Sequence, residues 1–94
     1  MPTTNTYIGP ADGWVEVASA PKFVRVSAAP YSHPFYVFAK STAPAATDVG
    51  VLVCRHPFEV NEIMTEKLYV RVPVPVPDAN QNNGKLRLDV FTIV

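Results

Sequence analysis

Lys67-Leu-Tyr-Val-Arg-Val-Pro-Val-Pro-Val-Pro77 is the stretch whose reading decides the fold. Leu68, Val70, Val72 and Val74 fall on one side of an extended backbone, and Tyr69, Arg71 and Pro73 on the other. That two-residue period, in residues that fit a pleated surface, specifies a half-buried strand. Pro73, Pro75 and Pro77 have no amide proton to give to a ladder, so the second half lies at a sheet edge or leaves the sheet. One segment thus encodes a core strand and the end of its own pairing.

Outward from it, the same period recurs. On the C-terminal side, Pro77-Asp-Ala-Asn-Gln-Asn-Asn-Gly84 is rich in residues that tolerate turns. Lys85–Val94 then alternates, with Leu86, Leu88 and Val90 facing in and Lys85, Arg87 and Asp89 facing out. On the N-terminal side, Gly13–Ala18 and Lys22–Ser27 read as strands joined by Ser19-Ala-Pro21, and the short turn predicts a hairpin. Phe35–Ala39 is apolar on both faces and predicts a central strand. Val49–Arg55 is a further strand, and Phe58-Glu-Val60 a short one. Glu62–Glu66 fits either a helical turn or a loop. Turn signals at intervals of roughly 8–12 residues, with no amphipathic helix, predict one antiparallel β-sandwich of six to eight strands over residues 13–94. Residues 1–12 show no period and read as an extended arm anchored by Tyr7 and Ile8. Removing them is expected to weaken assembly and leave the fold intact.

The chain has 94 residues, enough for one core. Eight basic and eight acidic side chains cancel and form no Lys/Arg cluster, so no nucleic-acid footprint is expected. Near-zero charge weakens the repulsion that keeps proteins apart and favours association. Cys54 is the one cysteine, which excludes an intrachain disulfide and fits a reducing cytosol. The first residues lack the basic and apolar regions of a signal peptide, and no apolar run reaches the ~20 residues of a membrane span. Ten prolines against four glycines describe a stiff module.

Chemistry is sparse. Cys54 with His56 or His33 forms a nominal nucleophile–base pair, but Cys54 sits in strand phase with Leu52, where a free cysteine acts as a small apolar group. A triad also needs an orienting group and an oxyanion hole. His33 and His56 with Asp48 or Glu59 lack close zinc-ligand spacing; both histidines precede prolines and read as loop residues. The echo His33-Pro-Phe-Tyr-Val37 and His56-Pro-Phe-Glu-Val60 marks two similar loop-to-strand entries. No catalytic residue, cofactor or metal is expected. Among the aromatic residues, Phe35, Tyr36 and Phe38 are assigned to packing. Trp14 and Tyr31 stay open as interface anchors or as platforms for a sugar, which keeps a carbohydrate-binding or adhesin module as the alternative.

Several landmarks occur in order: Gly13-Trp14, Pro21-Lys-Phe-Val-Arg-Val26, Pro34-Phe-Tyr-Val37, Pro44, Gly50, Leu68-Tyr-Val-Arg71 and Leu86-Arg-Leu-Asp-Val90. Over residues 13–94 this order resembles small structural proteins of tailed-bacteriophage virions, of the decoration (cement) or fibre-attachment type. Length and the proline-rich Val72–Pro77 segment depart from the most familiar decoration proteins. The resemblance implies a non-enzymatic virion subunit, made in the host cytoplasm, that binds capsid or tail proteins as a symmetric homo-oligomer without nucleic acid or membrane. The residues assigned to its contact surface are Tyr7, Ile8, Trp14, Tyr31, His33 and His56.

Overall fold

The computed structural model describes residues 3–29, 33–45, 47–53, 57–74 and 84–93. Its strands are β1 (Thr3–Ile8), β2 (Val15–Ser19), β3 (Phe23–Ala29), β4 (Phe35–Lys40), β5 (Val51–Val53), β6 (Phe58–Val60), β7 (Lys67–Arg71) and β8 (Leu86–Ile93). Among the described residues the one helical element is a 3-10 turn at Pro10–Asp12. The strands form two antiparallel four-stranded sheets, ordered β1-β8-β3-β6 and β2-β7-β4-β5. The expected all-β sandwich is therefore the fold.

Alternation places the core. Ile8, Val24, Val26, Leu86, Leu88 and Val90 point inward from the first sheet; Phe35, Val37, Val53, Leu68 and Val70 meet them from the second. Burial of such apolar area is the main force closing two sheets on each other. β7 ends at Arg71, before Pro73 can leave a gap in the ladder. Val72 has left the strand but is still fully buried, so the departing chain stays in the core for one residue more.

Two expectations change. The N-terminal arm is a strand: β1 pairs with β8 in six successive register positions, from Thr3↔Phe91 to Ile8↔Leu86. Ile8 is 0% exposed and belongs to this chain's own core, so it is not an anchor for a neighbour. The hairpin between the strands after Trp14 and after Lys22 does not form either. β2 pairs with β7, whereas β3 lies between β8 and β6 in the opposite sheet. The turn residues show why. The Ala20 amide donates to the Glu66 carbonyl (3.1 Å), tying the end of β2 to the entry of β7, and the Lys22 amide donates to the Ile93 carbonyl (2.7 Å), tying β3 to β8. Ala20 holds φ 45°, in the left-handed region, and Pro21 is buried, so the chain crosses between sheets there.

The β2–β7 register shifts between Glu16 and Ala18. The extra residue lets Val17 and Ala18, neighbours in sequence, both pack on the core. Gly13, at φ 66°, makes the bend that delivers Trp14 to the start of β2.

Candidate functional site

Two surface regions stand out, one on the β2-β7-β4-β5 sheet and one where that sheet meets the edge of the other. The first is the outer face of the β2-β7-β4-β5 sheet. Tyr36 pairs with Arg71 and Phe38 with Tyr69, which puts all four side chains on the side away from the core. Trp14 reaches across this face from the start of β2. Its ring centroid lies 5.8 Å from that of Phe38 in a tilted contact. The Arg71 guanidinium carbon sits 4.9 Å over the Tyr36 ring and 5.5 Å over Trp14, so a planar cation lies against two aromatic faces. Gly50 is what leaves room. A Cβ built there would stand 2.9 Å from Trp14 Cη2 and collide with the Val37 carbonyl. Trp14 Nε1 and Arg71 Nε are both buried without a hydrogen-bond partner among the described residues.

The second region is the margin where β5 and β6, the edge strands of the two sheets, run along one side of the sandwich. Between them opens an apolar groove of about 180 Å³, lined by Val37, Phe38, Ala39, Val51, Phe58, Val60, Met64 and Leu68. Val51 is 65% and Leu52 51% exposed, and Val49 and Ile63 are exposed as well. An edge strand presents unpaired backbone groups, and proteins usually shield it with charge, proline or a bulge. The other edges follow that rule. β6 carries Glu59 against Arg25 (3.1 Å), β2 carries Glu16 against Lys67 (3.6 Å) beside its bulge, and β1 is polar. Val51-Leu-Val53 has no such shield among the described residues.

The residues assigned from sequence are dispersed. Tyr7 is 42% exposed on β1, facing opposite to Ile8, and stays on the surface. Trp14 is half-buried in the aromatic cluster. His33 is 7% exposed, and its Nε2–H donates to the Val74 carbonyl at 3.0 Å. It fastens the entry of β4 to the chain leaving β7, so the expected surface role for His33 is replaced by an internal tie. Tyr31, Cys54 and His56 lie outside the described residues. The acids weighed as metal ligands are engaged elsewhere: Asp48 accepts from the Ala45 amide (2.9 Å) and Lys40 (3.2 Å), and Glu59 from Arg25. The Ala45 hydrogen bond first, and then Lys40, holds the Asp48 carboxyl below its ordinary range.

Sequence reasoning passed over Arg71, Val51, Leu52 and Ile63. For Arg71 the signal was its shared parity with Tyr69, opposite a strand bearing Tyr36 and Phe38. For β5 it was five consecutive uncharged residues, Val49-Gly-Val-Leu-Val53. No protein-family model, curated protein or solved structure matches the chain.

Proposed function

We propose that the chain is a non-enzymatic docking subunit of a tailed-bacteriophage virion, a decoration or head/tail accessory protein that binds other virion proteins as a symmetric oligomer. The resemblance in landmark order supplies the virion context. The observation that carries the docking role is the β5 edge, unshielded among the described residues, with Val49, Val51 and Leu52 exposed along it and Ile63 exposed beside the groove-lining Met64. Three strand residues allow only a few ladder hydrogen bonds, so contact there draws its energy from side-chain burial. At about 25 cal/mol per Å² of apolar area removed from water, covering four aliphatic side chains contributes several kcal/mol.

The test is copurification. Wild-type chain and a Val51→Lys/Leu52→Lys variant are expressed during infection, and virions are banded on a density gradient. Wild-type chain in the virion band, and the variant absent from it, is the expected result. Wild-type chain left at the top of the gradient rules the proposal out.

A further inference from the structure

The aromatic face around Arg71 does something the β5 margin does not: it fixes a cation that faces no counter-charge among the described residues. Among the described residues, Arg25, Lys40, Lys67, Lys85 and Arg87 each face a carboxylate within 4 Å. Among the described residues Arg71, like the exposed Lys22, faces none, but Arg71 alone lies against aromatic rings, those of Trp14 and Tyr36, without a carboxylate. A guanidinium is planar and presents its N–H donors in a fixed fork that matches a carboxylate. Register sets the geometry, because Tyr36 is the direct partner of Arg71 across β4 and β7. The side chain is therefore held ready, and little rotamer freedom remains to be lost on binding. Arg71 stays partly exposed although its Nε is covered, so access is from the outer edge of the guanidinium.

We infer that this cluster is a receptor for a carboxylate on a partner protein: a Glu or Asp side chain set against Arg71, with an adjoining apolar residue on Tyr36 and Phe38. Charge complementarity points to the acid. Trp, Tyr and Arg are the residue types in which interface energy concentrates, and all three meet here. A sugar fits less well. Its hydroxyls require several acceptors, and the acid paired into this face, Glu16, is already held by Lys67 at 3.6 Å. The partner's nature as a protein rests on the docking role proposed above; the carboxylate preference rests on Arg71 alone.

Trp14 is the one tryptophan, so its indole N–H gives a single reporter signal in a nitrogen–proton correlation spectrum of the whole chain. The probes are acetyl-Leu-Glu-Leu-amide, its Gln counterpart and glucuronate, each titrated at low salt. The Glu peptide is expected to move the indole signal saturably, with the Gln peptide at least about tenfold weaker. Raising salt on the wild-type chain is expected to weaken the Glu peptide and leave the Gln peptide unchanged, a control that needs no variant. Arg71→Met, with the rest of its spectrum retained, is expected to lose the Glu preference.

Equal response to Glu and Gln peptides, or an unmoved signal with both, overturns the inference. Glucuronate acting at lower concentration than the peptide overturns it in favour of an acidic sugar. Failure here is separable from failure of the docking role. A chain that bands with virions yet ignores the peptide rejects only the receptor; one that binds the peptide yet never bands with virions keeps the carboxylate site and loses its partner.

Discussion

Ile8→Ala is the substitution that separates a strand from an arm. Ile8 is 0% exposed, pairs with Leu86 and packs in the common core. Replacing it removes three carbons. At about 0.8 kcal/mol per buried methylene the transfer loss is about 2.4 kcal/mol, and the cavity left behind raises this to about 3–4 kcal/mol. Its chain neighbour is the control: Tyr7 points the opposite way and is 42% exposed, so Tyr7→Ala should cost less than about 1 kcal/mol. The assay is urea unfolding of the isolated chain followed by Trp14 fluorescence, with both variants compared at unchanged denaturant slope. A free arm would make both substitutions neutral. Ile8→Ala within 1 kcal/mol of wild type, or Tyr7→Ala the more damaging of the two, would refute the assignment of β1 to the core sheet.

Gly50→Ala should destabilise the β4–β5 edge by about 1–3 kcal/mol, because the new Cβ meets the Val37 carbonyl and the Trp14 ring; thermal melting and a changed Trp14 emission would register it. Asp12 and Asp48 set an acid limb. Asp12 is held below its ordinary 3.8 by the Gly9 amide (2.7 Å) and then by Lys85, and Asp48 by the Ala45 amide and then Lys40. A carboxyl lowered on folding contributes stability that is complete above 3.8 and disappears as pH falls through the lower folded value. Wild-type melting temperature should therefore fall below about pH 4, and an Asp12→Asn/Asp48→Asn variant should show a shallower fall over that window.

Much of the sandwich is legible in the sequence, and the exceptions share a cause. Lys67–Arg71 and Leu86–Val90 announce themselves because inward positions are Leu or Val and outward ones are charged or aromatic. Thr3-Thr-Asn-Thr-Tyr-Ile8 is polar on both faces until its last two residues, so it carries no apolar period. Its strand state comes from β8, 78 to 88 positions away, whose backbone it completes. The Ser19-Ala-Pro21 turn misled for a related reason. Local spacing reports that the chain reverses there but not which sheet it rejoins, and the amides of Ala20 and Lys22 settle that through Glu66 and Ile93. The candidate surfaces follow the same division. Parity places Tyr36, Phe38, Tyr69 and Arg71 outward, yet only register brings Arg71 against Tyr36, and only the bend at Gly13 brings Trp14 against Arg71 and Phe38. His33 reads as a loop residue because its acceptor, the Val74 carbonyl, belongs to another strand's exit.

The proposed docking role depends most on the β5 margin being a contact surface and not merely an uncovered edge. Sedimentation equilibrium across a wide concentration range tests this directly, comparing wild-type chain with the Val51→Lys/Leu52→Lys variant. Association through β5 should give a reversible multimer of the 10.3 kDa chain for wild type and a folded monomer for the variant. A wild-type chain that stays monomeric throughout, or a variant that associates equally well, would contradict it.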